Sequence, residues 1–142
     1  MTPLLDIANL SVSFDTAAGR LEAVRGISVR MGRERLAVVG ESGSGKSVTF
    51  RSLLGLLPAS AHVRASHIRF DGQDVLALDA RGLRALRGRR IGMVVQDPRQ
   101  GLDPSMTIGR QLAEMLRLHG KVPRSGLRKR IRELLAEVHI RD

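Results

Sequence analysis

Between residues 40 and 47 the chain reads Gly40-Glu41-Ser42-Gly43-Ser44-Gly45-Lys46-Ser47. These residue types at these spacings suit one kind of chemistry, the holding of a phosphate chain. Glycine at 40, 43 and 45 permits backbone angles closed to other residues, so main-chain N–H groups can turn inward around an anion. Lys46 adds a full positive charge for β- and γ-phosphates, and the Ser47 hydroxyl can ligate Mg²⁺. A helix following directly would aim its unpaired N–H groups and positive dipole end at the same point.

Two other readings of the run are open. A flexible glycine-serine turn would match the pattern by chance somewhere in a chain of this length with odds on the order of one in a hundred, taking Gly at about 7% of residues. The flanks argue against it, because the apolar run Leu36-Ala37-Val38-Val39 predicts a strand before the loop. Ser47 onward through Leu53, Leu54, Leu56 and Leu57 predicts a helix ended by Pro58. A dinucleotide fingerprint fits poorly, since Gly43-Ser44-Gly45 would need its third small residue at Val48.

The elements that must position this loop can be read along the chain. Leu4 to Phe14 and Leu21 to Met31 have β character and predict a hairpin turning at Ala17-Ala18-Gly19. His67 to Phe70 predicts a strand ending in the Asp71-Gly72 turn, and Asp79 can cap a short arginine-rich helix reaching about Arg87 with Leu83 and Leu86 inward. Ile91 to Val95 is a continuous apolar run, expected of a strand buried on both faces of a parallel sheet. It breaks at Gln96-Asp97-Pro98, and Pro98, Gly101 and Pro104 make the stretch to Met106 a loop. Helical periodicity runs from Ile108 to near Gly120, then from Ser125 to Val138 with Leu127, Ile131, Leu134, Leu135 and Val138 on one face.

Composition narrows the function classes. The 142 residues include no cysteine, which excludes disulfides, cysteine-ligated zinc and thiolate catalysis. His62, His67, His119 and His139 have no metal-ligand spacing and read as surface or packed residues. No run of 18 apolar residues and no signal peptide is seen, so the chain is expected in the cytoplasm. A net charge of +10 points first to nucleic acid, carried by Arg81, Arg84, Arg87, Arg89 and Arg90 and by Arg124, Arg128, Lys129, Arg130 and Arg132. The only aromatics, Phe14, Phe50 and Phe70, are not interleaved with those clusters, so base stacking has almost no platform and nucleic acid is disfavoured as partner.

Taken in order, hairpin, glycine loop, Asp-Gly strand and the apolar run into Gln96-Asp97-Pro98 resemble the nucleotide-binding subunit of ABC transporters over essentially the whole chain. Phe14-x-Thr16-x-x-Gly19 with Ala23-Val24, Gln96-Asp97-Pro98, Leu102-x-Pro104 and Thr107-Ile108-Gly109-x-Gln111 are most similar to the subunits of oligopeptide, dipeptide and nickel importers. The sequence departs from that pattern at Val95, where phenylalanine is usual, at Asp103, where asparagine is common, and at His67, where glycine is common.

The resemblance implies an α/β fold: an ABC-type P-loop NTPase core, incomplete, with an antiparallel β region over 1–35. The P-loop core would occupy 36–100 and the start of a helical subdomain 101–142. It implies ATP and Mg²⁺ as cofactors, held by Gly40 through Ser47, with Phe14 stacking on adenine and Gln96 reaching Mg²⁺ or the attacking water. From residue type alone Phe14 is equally a core phenylalanine, and Gln96 a structural glutamine at a strand end. Implied partners are membrane permease subunits, a second ATP-binding subunit as homo- or heterodimer and, indirectly, a solute-binding protein. The implied place is peripheral, at the cytoplasmic face of the inner membrane.

The family's signature sequence, Walker B acidic pair and switch histidine fall after residue 142, so no residue here is assigned a catalytic role. The expectation is ATP binding with negligible hydrolysis, because a general base contributes about 10²–10⁴-fold. Parallel strands without their neighbours would also leave open edges and marginal stability. The alternatives are an ABC-type ATPase acting on nucleic acid, and an inactive product of a truncated gene.

Overall fold

The structure, a computed structural model, describes residues 2–120 and 122–140 and divides into two units, Met1–Arg87 and Gly88–Asp142. The first unit is organised around strand β1 (Leu5–Thr16), which pairs antiparallel with β2 (Gly19–Met31) along one edge. Its other edge takes β3 (Ala61–Arg64) opposite residues 11–14 and β4 (His67–Phe70) opposite residues 5–8. β5 (Gln73–Asp74) pairs with β4 across a turn in which Asp71 and Gly72 have φ of +51° and +78°. That is the left-handed pair an Asp-Gly hairpin turn needs.

Period-two alternation alone would put Leu5 and Ile7 on one face of β1 and Leu10 and Val12 on the other. Asn9, at φ +52°, and breaks in the register between Ile7 and Leu10 insert an extra residue, so all four side chains are buried. Asn9 itself is held by its N–H to Ser28 Oγ at 3.0 Å and its side-chain amide to Ser66 Oγ at 3.0 Å. Ile7, Leu10, Val12 and Ile68 are essentially inaccessible. Full burial of such side chains contributes about 1.5–3 kcal/mol each.

Helix α1 (Lys46–Leu53) packs against this sheet and buries Thr49, Ser52 and Leu53, whose two hydroxyls bond to Gly45 O and Thr49 O. Sequence periodicity predicts a helix continuing to Pro58; it stops earlier. Gly55 at φ +59° donates to Ser52 O and Leu56 N–H to Arg51 O, the paired reverse bonds of a glycine-terminated helix. The Arg87 guanidinium closes the same end, donating to Leu54 O at 2.7 Å and Gly55 O at 2.8 Å. Helix α2 (Ala80–Leu86) is capped by Asp79 Oδ1, which accepts from Gly82 N–H at 2.7 Å, with Leu86 buried and Leu83 half-buried.

Two predicted strands are not formed. Leu36–Val39 is irregular and exposed, with Val39 at 92% exposure, and Ile91–Val95 has a single bridge residue at Ile91, with Val94 at 99%. Each run is apolar enough for a buried strand, but a strand is defined by a ladder partner as much as by its side chains. Among the described residues neither run joins the sheet, Ile91 alone making an isolated bridge, and the strand pairs of the sheet are all antiparallel.

In the second unit a 3₁₀ turn spans Pro98–Gly101, opened by the Asp97 side chain accepting from Arg99 N–H at 3.0 Å. Helix α3 (Ile108–His119) follows, capped by Thr107, and α4 (Leu127–Glu137) follows a 3₁₀ turn over Arg124–Gly126. Gln111 pins the loop before α3: its Oε1 accepts from Asp103 N–H at 3.0 Å and its Nε2 donates to Asp103 O at 2.9 Å and Met106 O at 3.0 Å. Asp103 accepts from both the N–H and the hydroxyl of Ser105, which hold its carboxyl below the usual range.

Candidate functional site

The glycine loop turns between the irregular run ending at Val39 and the first turn of α1. Its shape is set by Gly43 at φ +82° and Gly45 at φ +89°, where a side chain would be strained. A Cβ at Gly45 would lie 2.6 Å from the carbonyl oxygen of Ala23 and 3.1 Å from Val24 Cγ2. Ala23 is the residue left over where the register passes from Ser13↔Glu22 to Val12↔Val24. The last glycine of the loop thus rests directly on a β-bulge of the hairpin, which ties the loop's position to the sheet.

Gly40 closes the other side of the cradle. A Cβ there would meet Ser44 Oγ at 2.8 Å and approach Lys46 Nζ at 3.8 Å. Lys46 Nζ donates to Gly40 O and Glu41 O, both at 2.6 Å, and lies 3.3 Å from Ser44 Oγ, so the ammonium spans the mouth of the loop. The first helical bond of α1 is Thr49 N–H to Gly45 O at 2.9 Å, and no side chain caps the helix. The N–H groups of Lys46, Ser47 and Val48 therefore have no partner within the helix and face the loop end with the dipole's positive pole. Glu41, Ser42, Ser44 and Ser47 are exposed and Lys46 is half-buried. Positive-φ glycines, orphan amides and a lysine fit a phosphate chain; a larger residue at 40 would crowd Ser44 and Lys46 within the cradle, and one at 45 would push the loop off the hairpin.

Phe14 lies on β1 two residues from Val12, whose cross-strand partner Val24 is the residue beside Gly45, so Phe14 shares the sheet face on which the loop rests. It is half-buried, opposite Leu21 on β2 and Ala61 on β3. Leu21, Ala61 and His62 were not singled out by motif; only the strand register brings them beside Phe14. Gln96 is exposed at a bend and belongs to the second unit. Among the described residues no group of three His, Asp or Glu side chains could hold a metal ion. Within the first unit the Ser47 hydroxyl, exposed at the start of α1, is a hard oxygen donor of the kind Mg²⁺ takes, and phosphate oxygens would be needed to complete a shell.

A cradle of this construction belongs to the phosphate-loop class, and the chain matches the ABC transporter family over residues 24–142, so it is a member of that family. It is 39% identical over 142 residues to the oligopeptide transport ATP-binding protein OppD of Bacillus subtilis (strain 168), covering 99% of this chain and 40% of that protein. To the dipeptide transport ATP-binding protein DppD of the same organism it is 43% identical, covering 100% and 43%. To the peptidoglycan transport ATP-binding protein YejF of Agrobacterium fabrum (strain C58 / ATCC 33970) it is 47% identical, covering 99% and 26%. The chain thus spans less than half the length of these relatives. Among the described residues no helix is long and apolar enough to cross a membrane.

Proposed function

We propose that this chain is the nucleotide-binding portion of an ATP-binding subunit that drives import of peptides or related solutes. The observation that carries the reading is the cradle itself: Gly40, Gly43 and Gly45 shape it, Gly45 docks on the hairpin bulge, and Lys46 spans its mouth. In this reading the backbone from Gly40 to Ser47, including Glu41, Ser42 and Ser44, surrounds the phosphates of ATP. Lys46 exchanges its carbonyl partners for the β- and γ-phosphates, and Ser47 ligates Mg²⁺, which supplies charge neutralisation on those phosphates when bound. Phe14 stacks on the adenine and Gln96 reports the state of the Mg²⁺ shell to the rest of the assembly. The division into an antiparallel region over 1–35, a core over 36–100 and a helical region from 101 is proposed with it.

Partners in the complete subunit are membrane permease subunits and a second ATP-binding subunit, with a solute-binding protein acting indirectly, all at the cytoplasmic face of the cell membrane. Support for the solute class comes from the relatives, two of which carry oligopeptide or dipeptide transport in their names. No residue among these 142 is assigned as general base, so binding is the activity proposed for the chain itself. Titration calorimetry with Mg-ATP tests it. The folded chain is expected to bind, and Lys46→Ala to weaken binding by about 10–100-fold, the range for losing charge-assisted hydrogen bonds. Absence of heat with a folded wild-type chain would refute the reading.

A further inference from the structure

Three strands meet beside the nucleotide cradle, and their register sorts the side chains there into two rows. Phe14 is opposite Leu21 on β2 and Ala61 on β3, so these three share one face of the sheet. This is the face of Val12 and Val24, on which Gly45 rests. Leu21 is 58% exposed there, although it is a large aliphatic residue in the middle of a paired segment. One residue along, the opposite face carries a polar row. Asp15 lies opposite Arg20 on β2, with Arg20 Nε 3.4 Å from Asp15 Oδ1. On the other side, His62 of β3 places Nε2 2.6 Å from Asp15 Oδ2. Asp15 N–H also bonds to Ser60 O at 3.0 Å, so the end of β1 is tied to β3 by both side chain and backbone. The His62 imidazole, then the Arg20 guanidinium, hold the Asp15 carboxyl below the usual carboxylate range, keeping it ionised.

These rows have a mechanical relation. The tip of a two-stranded hairpin twists freely, and an apolar surface on it would move relative to the glycine loop. Bonding the row Arg20–Asp15–His62 across three strands fixes the twist there and so fixes the opposite row. We infer that Leu21 and Ala61 extend Phe14 into an apolar platform for the nucleotide base, with Leu21 a contacting residue, and that Asp15 and His62 are positioning residues for it. The inference rests on the nucleotide-binding reading above, and it assigns Leu21, Ala61, Asp15 and His62, which no motif marks.

A comparison of two ligands tests it, because inorganic tripolyphosphate occupies the cradle but has no base. Calorimetry is run with Mg-ATP and with Mg-tripolyphosphate on the wild-type chain, His62→Ala, His62→Gln and Leu21→Ala. Leu21→Ala and His62→Ala are expected to weaken ATP about three- to fivefold, the scale of an exposed ion pair or a partly buried aliphatic group. Tripolyphosphate should stay within about twofold of wild type, a change too small to read as a lost contact. His62→Gln, whose amide can still donate to Asp15, should recover most of the ATP affinity. Equal losses for both ligands would show a merely structural role and overturn the inference, as would unchanged ATP affinity in Leu21→Ala and His62→Ala. A wild-type chain that binds tripolyphosphate but gains nothing from adenosine also overturns it while leaving the cradle intact. Failure of the folded wild type to bind either ligand would instead bring down the nucleotide-binding reading.

Discussion

Replacing Gly45 by alanine separates backbone strain from docking, because Gly43 provides a matched control. Both glycines have positive φ, +89° and +82°, so an alanine at either pays about 1–2 kcal/mol for left-handed backbone. A Cβ at Gly43 meets nothing within 4 Å, whereas at Gly45 it would sit 2.6 Å from the Ala23 carbonyl oxygen, against 3.4–4 Å for ordinary contact. That neighbour is main chain of a paired strand and cannot swing away, so the loop or the bulge must shift by most of an ångström. Overpacking of this kind costs about 1–3 kcal/mol. Gly45→Ala should therefore be destabilised by about 2–5 kcal/mol and Gly43→Ala by about 1–2 kcal/mol. Urea unfolding followed by circular dichroism at helix wavelengths gives both numbers, and calorimetry with Mg-ATP should show the larger affinity loss for Gly45→Ala. Equal stability of the two variants, within about 0.5 kcal/mol, would mean that the cradle is not seated on the hairpin bulge.

The carboxylates predict the response to acid. Asp15, beside His62 and Arg20, and Asp6, beside His67 and Arg30, both have lowered pKa values in the folded chain. Their stabilisation is complete above the unfolded aspartate pKa of about 3.9 and is lost as pH falls through the lower folded value. Thermal melts from pH 6 to pH 2 should show Asp15→Asn below wild type at pH 6 and the gap narrowing as pH falls below the unfolded aspartate pKa of about 3.9; a constant gap would contradict the assigned pairing. The unpaired apolar runs predict a contrast in cost. Val94→Ala should change stability by less than about 0.5 kcal/mol because Val94 is 99% exposed, whereas Ile68→Ala, at 0% exposure, should cost about 2–5 kcal/mol in the same urea assay.

Much of the first unit is legible in the sequence. Alternating residues and the Ala17-Ala18-Gly19 turn announced the hairpin, Asp71-Gly72 the turn into β5, and Asp79 the cap of α2. Those signals are local: each depends on backbone angles or a hydrogen bond spanning a few residues. The end of α1 is not legible in the apolar pattern, which continues through Leu56 and Leu57, while Gly55 offers a left-handed stop that satisfies two carbonyls. The subfamily pattern around Thr107 and Gln111 was seen as a pattern, but its work in holding Asp103 and Met106 emerged only from the bonds Gln111 makes.

The order of residues determined the shape of the glycine cradle, since three glycines, a lysine and a following helix need nothing beyond the contiguous stretch 40–53 to turn amides inward. Only the tertiary structure decided which apolar runs become strands, because a ladder requires a second chain segment and, among the described residues, neither Leu36–Val39 nor Ile91–Val95 joins the sheet. It also decided where the cradle sits, through a bulge at Ala23 that no composition reveals, and it joined His62 to Asp15 across 47 positions. Contacts of that separation follow from strand register, which is set by the burial of a whole sheet face and not by any one residue.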